Sequence, residues 1–292
     1  MMAELLPIPR RIAIAVYLSL PEGMERAQEI SNFLHESGVE NVAWGTFQDE
    51  EFIQRIEAKE FDLLLALGGD GTMLRAGNLA APLGLPVLGI NLGHFGFLTE
   101  IQRGQWRDLL PLLLEGKYRI EERMMLYVEH TRAGKVLDSW HVINEVVVCR
   151  GQFVRPVHIQ AEVDGYKLTT YVADGLIAAT PTGSTAYALA AGGPIMPPDL
   201  RNILLIPVAP HLSIDRAIIL SEGTGVTMTV YTRHEAVLSV DGRPPVPMLN
   251  GDSVHVSVND FQVYFIRFQD PSYFYRNITE FMEQNPVTGS QP

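Results

Sequence analysis

The sequence predicts an α/β plus all-β protein, with a parallel α/β domain first and an antiparallel β-rich domain after it. Three observations carry this. Strand-like and helical runs alternate from Arg11 to about Leu92, the order that builds a parallel sheet covered by helices. After Tyr118 the texture changes to short β-branched runs at close spacing, which continue to about Phe268. Within the first stretch, Gly68-Gly69-Asp70-Gly71-Thr72 directly follows an unbroken apolar run.

The run Ile12 to Leu18 reads as the first strand, and no small-residue cleavage pattern follows it, so it is not read as a signal peptide. Met24 to Ser37, closed by Gly38, reads as a helix. Leu63 to Leu67 is apolar throughout, as a parallel strand buried on both faces is. Pro86 to Asn91 is the next strand, so the order is that of a Rossmann-like sheet. Trp106 to Leu114, closed by Gly116, reads as a helix leading out of this domain.

In the second domain Leu126 to Thr131, Val157 to Val163, Gly225 to Tyr231 and Ser253 to Val258 alternate, as half-exposed antiparallel strands do. Asp164-Gly165 and Asp241-Gly242 are turn signals between such strands. Tyr273 to Glu283 reads as a helix that packs back on the N-terminal domain, and Pro286 onward as a frayed tail. The expected divisions are 1–118 for the α/β domain with the Gly-Gly-Asp-Gly loop, 119–268 for the β-rich domain, and 269–292 for the returning C-terminal segment.

At 292 residues the chain is long enough for two domains that each bury a core. Its apolar fraction of 47% and charged fraction of 19% are those of a globular protein. Cys149 is the single cysteine, so no internal disulfide is possible and a reducing cytoplasm fits. No stretch approaches the roughly 20 apolar residues of a membrane span. A net charge of -12 argues against a nucleic-acid binder, whose footprint is basic.

The Gly68 to Thr72 loop lies at a strand's carboxyl end, where open α/β sheets bind ligands, and glycine lets a phosphate approach the backbone. Thr72 is placed as the N-cap of the following helix, whose amino terminus favours anions. Asp70 is the odd member, because a carboxylate among phosphates is repelled unless it holds a divalent cation or takes a proton from the attacking group. The bland reading of the loop is a glycine turn in which Asp70 caps the helix. The segment Thr180-Pro-Thr-Gly-Ser-Thr-Ala-Tyr187, followed by Gly192-Gly193-Pro194, is a second glycine- and hydroxyl-rich loop. Its alternative reading is a tight loop whose hydroxyls satisfy its own backbone. His94 and His211 read as loop or pocket-wall residues, since no metal-ligand spacing accompanies them.

Several blocks in order resemble the NAD kinases, which phosphorylate the adenosine ribose 2′-hydroxyl of NAD to give NADP. They are Gly68 to Thr72, Gly89 to Glu100, Glu122 to Leu126, Asn144-Glu145, Asp174-Gly175, Thr180 to Pro194 and Pro210-His211. The first loop alone also fits diacylglycerol, sphingosine and phosphofructose kinases; the Thr180 to Tyr187 block separates them.

The resemblance implies that Asp70 is the proton acceptor, with a role as metal ligand left open, and that Gly68, Gly69, Gly71 and Thr72 form a phosphate loop. It implies a dinucleotide site including Asp70, Gly71, Arg75, Asn144, Glu145, Arg155 and Asp174. Thr185, Ala186, Tyr187, Ala190 and Ala209 complete it, Ala190 standing where many relatives have serine. It also implies ATP, or polyphosphate, as phosphoryl donor, Mg²⁺ as cofactor, and a homodimer or homotetramer. Two alternatives remain: a lipid or sphingoid-base kinase sharing the first loop, and a non-catalytic sensor of NAD or NADP. No amphipathic basic helix supplies the membrane surface that the first would need.

Overall fold

The computed structural model describes residues 6–17, 21–93, 96–153, 155–211, 214–276 and Ile278. The chain forms two compact units, one comprising Met1–Glu122 and Val263–Pro292, the other Arg123–Gln262.

In unit 1, strand β1 (Arg11–Val16) is followed by helix α1 (Pro21–Glu36), β2 (Asn41–Thr46), α2 (Glu50–Glu57), β3 (Leu63–Leu67), α3 (Asp70–Ala80), β4 (Val87–Ile90) and α4 (Trp106–Leu114). The sheet order β2-β1-β3-β4 is parallel throughout, as predicted. Every side chain of β3 is buried, which is why its sequence is a continuous apolar run. Ile12, Ile14, Leu63 and Leu65 share a core with Ala27, Ile30 and Leu34 of α1 and with Trp106, Leu110 and Leu113 of α4, while α3 packs against β3 and β4.

Strand β2 and helix α2 have no counterpart in the sequence reading. Among the described residues β2 is paired only to β1, and it is half-buried along most of its length, so it shows neither a continuous apolar run nor a clean alternation. α2 is only eight residues long, with Asp49 as its cap through the Phe52 N–H (3.1 Å).

Strand β5 (Arg119–Arg132) carries the chain into unit 2, which continues with β6 (Lys135–Val142), β7 (Glu145–Arg150), β8 (Val157–Val163), β9 (Tyr166–Ala173), β10 (Gly175–Ala179) and helix α5 (Tyr187–Ala190). Then come β11 (Ile203–Val208), β12 (Ile218–Leu220), β13 (Val226–Tyr231), β14 (Ala236–Val240), β15 (Val246–Met248) and β16 (Ser253–Arg267). Six antiparallel strands in the order β12-β11-β10-β7-β14-β15 form one layer. A second layer pairs β9 with β8, β8 with β13, and β13 with the first half of β16. Val146, Val148, Leu176 and Leu205 of the first layer share one core with Val157, Ile159, Val226 and Val254 of the second.

The Asp164-Gly165 signal is the β8–β9 turn, with both residues at positive φ (50° and 79°), the pairing a type I′ turn requires. The last part of β16 belongs to unit 1, where Phe265 pairs with Val87 of β4. Tyr273 to Arg276 form a helical turn in the same unit. The expected helix beyond Ile278 and the tail from Pro286 lie outside the described residues, as does His94.

Candidate active site

Asp70 is not an appendage of a turn; it is the first residue of α3. The helix is opened by Gly69 as N-cap, with no side-chain capping bond. This corrects the placement of Thr72, which lies buried in the first turn and donates its N–H to the Gly69 carbonyl at 2.9 Å. Gly68 takes φ 154°, a conformation glycine adopts without strain, and this lets the chain turn from β3 straight into the helix.

The Asp70 carboxylate is held by two consecutive peptide groups, with Oδ2 accepting from the Phe97 N–H and Oδ1 from the Leu98 N–H, each at 3.0 Å. Gly71 and Arg75, in the same helix, are exposed. The Arg75 guanidinium lies 4.7 Å from the centre of the Tyr17 ring, which orients the cation without neutralising it.

In unit 2, β6 stops at Val142 and Glu145 starts β7, so Asn144 and Glu145 lie at the crossing from one strand to the next. The crossing is pinned by Asp241. Its carboxylate accepts from the N–H groups of Ile143 (2.9 Å), Asn144 (2.8 Å) and Glu145 (3.2 Å), and its own N–H donates to the Glu145 carbonyl at 3.0 Å. Asp241 is more than a turn residue, and it was not among the predicted site residues.

Glu145 is buried, and its Oε2 has no hydrogen-bond partner among the described residues. Burial, then the Asp241 charge, push its carboxyl up to about 8. At neutral pH it therefore carries a proton and can donate as well as accept.

The Thr180 to Tyr187 segment spends its hydroxyls on backbone. Thr180 Oγ1 donates to the Ile143 carbonyl (2.6 Å) and accepts from the Gly183 N–H (3.0 Å). Ser184 Oγ donates to the Pro181 carbonyl (2.6 Å) and accepts from the Met196 N–H (2.9 Å). Thr185 Oγ1 donates to the Thr182 carbonyl (3.1 Å), and Thr182 Oγ1 accepts from the buried Arg123 (3.0 Å). Gly183 lies against Asn144 so closely that a Cβ there would sit 2.1 Å from the Asn144 carbonyl oxygen. Thus the loop and the Asn144-Glu145 crossing are locked together.

Asp174 follows β9 and precedes β10 with no tight turn between them. Its N–H donates to the Val208 carbonyl (3.0 Å), and its carbonyl accepts from the Arg150 N–H (2.9 Å). Its carboxylate forms an ion pair with Arg150 (Nε–Oδ1 3.1 Å). Tyr187 is 45% exposed. Burial, with smaller contributions from Cys149 and Asp174, raises its hydroxyl above the ordinary tyrosine value. Ala186 is half-buried and Ala190 exposed.

Ala209 is exposed and adopts φ 46°, a left-handed conformation uncommon outside glycine and common at ligand-contacting loops. His211 is exposed, its N–H donating to the Val172 carbonyl (2.7 Å). Arg155 is exposed on a hollow it shares with His158, Tyr231 and His234, and its N–H donates to the Phe153 carbonyl at 2.8 Å.

Two family models match the chain: the ATP-NAD kinase N-terminal domain over residues 12–118 and the ATP-NAD kinase C-terminal domain over residues 143–268. Together they define the class, a phosphotransferase built from these two parts. An NAD kinase of Heliobacterium modesticaldum is 43% identical over 231 residues, 79% of this chain and 81% of that protein. One of Moorella thermoacetica is 39% identical over 271 residues, 91% and 87% of the two chains. The chain belongs to the NAD kinase family. Among solved structures, yeast NADH kinase complexed with NADH superposes with a TM-score of 0.84 at 26% identity, covering 99% of this chain and 90% of that one. An NAD kinase from Archaeoglobus fulgidus in complex with ATP gives 0.72 at 26% identity, covering 94% and 99%.

Proposed function

We propose that this enzyme transfers the γ-phosphoryl group of ATP to the adenosine ribose 2′-hydroxyl of NAD, and that Asp70 takes the hydroxyl proton. The observation that carries the role of Asp70 is its carboxylate, fixed by the Phe97 and Leu98 amides at the start of α3. In the reaction the O–H proton passes to Asp70, the ribose oxygen bonds to the γ-phosphorus, and the bond to the β-phosphate oxygen breaks to release ADP. A base positioned within hydrogen-bond reach contributes about 10²- to 10⁴-fold to such a step. The rest of catalysis is positioning and charge neutralisation.

The α/β part, to about residue 118, supplies the phosphate loop Gly68, Gly69, Gly71 and Thr72, with Arg75 as a phosphate contact. The β-rich part, about 119–268, binds the dinucleotide. Asn144, the protonated Glu145 and Asp174 offer it hydrogen bonds, and Tyr187 offers a ring face and a hydroxyl. The hydroxyl of Thr185 is already bonded within its loop, so Thr185 and Ala186 serve through shape and peptide groups. Arg155, Ala190 and Ala209 complete the proposed set.

Among the described residues no group of three or more His, Cys, Asp or Glu side chains forms a cage for a metal. A Mg²⁺ ion would be held mainly by the substrate phosphates; a carboxylate ligand from Asp70 is the alternative to its role as proton acceptor. The ion when bound supplies charge neutralisation on the transferring phosphoryl group.

A homodimer or homotetramer in the cytoplasm completes the proposal; the lone Cys149 is consistent with that compartment. Among the described residues no helix is long and apolar enough to cross a membrane.

The test is NADP formation by the purified chain from NAD and Mg²⁺ with either ATP or polyphosphate. Turnover with ATP supports the reading, and turnover with polyphosphate as well widens the donor class. Absence of NADP with both donors, despite measurable NAD binding, contradicts it.

A further inference from the structure

Behind Asp70 stands a buried charged cluster, entirely within unit 1. The Leu98 peptide that donates its N–H to Asp70 Oδ1 accepts at its other end, from Arg267 Nη1 to the Leu98 carbonyl at 3.0 Å. Arg267 is 1% exposed. Its Nε donates to Glu121 Oε1 at 3.0 Å, and its Nη1 also reaches Glu100 Oε2 at 3.3 Å. Tyr273 adds its hydroxyl to Glu121 Oε1 (3.3 Å). Glu100 Oε1 accepts from the Phe268 N–H (2.7 Å).

The same segment is tied to the sheet, since the N–H groups of Glu100 and Ile101 both donate to the Gly89 carbonyl of β4, at 3.1 and 3.0 Å. The clamp leaves little slack. A Cβ on Gly96 would sit 2.3 Å from Asp70 Oδ1, so the carboxylate lies directly against the backbone that holds it.

Burying one cation and two carboxylates is a poor route to stability, because desolvation offsets most of the attraction. Such a cluster can instead fix one arrangement of the backbone. Here the guanidinium fork is the link between the end of β16, the start of β5 and the peptide that grips Asp70. We propose that Arg267 is a positioning residue for phosphoryl transfer: through the Leu98 peptide it sets the position of the Asp70 carboxylate. The proposal rests on Asp70 acting at the reacting hydroxyl. Arg267 itself touches no substrate.

The experiment compares wild type, Arg267→Lys, Arg267→Met, Asp70→Asn and the Arg267→Lys/Asp70→Asn double variant. For each, kcat, KM for NAD, the pH profile of kcat and the thermal midpoint are measured. The Arg267 variants are expected to lower kcat by about 10- to 100-fold, the scale of a misplacement near 1 Å. KM for NAD should stay within about threefold, because dinucleotide contacts are untouched. The pH profile of kcat should be displaced, and Arg267→Lys, which keeps the charge but not the fork, should restore only part of the rate. In the Asp70→Asn background the Arg267→Lys change should cost less than about threefold, since residues acting as a unit are not additive.

If Arg267→Met fails to fold, combining it with Glu100→Gln and Glu121→Gln removes the unpaired buried charges and gives the same kinetic readout. Arg267 variants that fold and keep kcat within about twofold, or a full additional loss in the Asp70→Asn background, overturn the proposal while leaving the role of Asp70 intact. An Asp70→Asn enzyme with near wild-type kcat overturns both.

Discussion

The two glycine-rich loops, one in each unit, are held by opposite means. In unit 1 the Asp70 side chain is the one being gripped: backbone amides from residues 97 and 98 hold its carboxylate. In unit 2 the side chains do the gripping, as Thr180, Ser184 and Thr185 commit their hydroxyls to backbone groups, and Asp241 commits its carboxylate to the amides at 143–145. The contrast separates chemistry from shape. On the proposed function, a carboxylate that receives a proton is aimed by a rigid backbone, whereas a pocket for a dinucleotide needs a rigid surface and can spend its polar side chains to obtain it.

That contrast ranks substitutions in unit 2 by their effect on stability. Gly183→Ala should be the most damaging, because its Cβ would enter the Asn144 carbonyl at 2.1 Å and neither backbone can yield cheaply. About 3 kcal/mol or more of lost stability is expected, read from denaturant unfolding, and a change below about 1 kcal/mol would show that the loop and the crossing are not locked. Asp241→Ala should come next, at about 2 kcal/mol for lost bonds to a charged group. It should also weaken NAD binding about tenfold by releasing Asn144 and Glu145, which calorimetry reads directly. Ser184→Ala should cost about 1 kcal/mol, since it strands the buried Met196 N–H, with kcat unchanged within about twofold.

A separate effect is one of pH, read from the shape of a stability profile rather than from its height. Glu145 has a folded-state value raised to about 8 from 4.5. Between those values the folded chain holds a proton that the unfolded chain has released, so the contribution is fully present below about pH 4.5 and is lost as pH rises through about 8. Glu145→Gln should therefore flatten the stability profile between about pH 4.5 and 8, its thermal midpoint gaining on wild type as pH rises through that window. Parallel profiles would mean that Glu145 is charged when folded.

Contiguous features were legible in the sequence. The Leu63 to Leu67 strand and the Gly68 to Thr72 loop could be read together because burial on both faces and the turn chemistry are written in adjacent residues. The same holds for the β8–β9 turn at Asp164-Gly165. What escaped was written across distance or as a compromise. The bond from Asp241 to Asn144 spans 97 residues and that from Arg267 to Leu98 spans 169, and no local pattern announces either. The strand β2 escaped because its half-buried residues carry no period. Thr72 was misplaced as a cap because a hydroxyl is the usual helix opener, whereas here the glycine pair before Asp70 makes that unnecessary.

The most direct test compares NADP formation from NAD, ATP and Mg²⁺ by wild type and by Asp70→Ala, with folding and NAD affinity checked on the same samples. The account predicts that Asp70→Ala stays folded, binds NAD within about tenfold of wild type, and loses at least about 10²-fold in kcat. A folded Asp70→Ala enzyme that makes NADP at a near wild-type rate would contradict it.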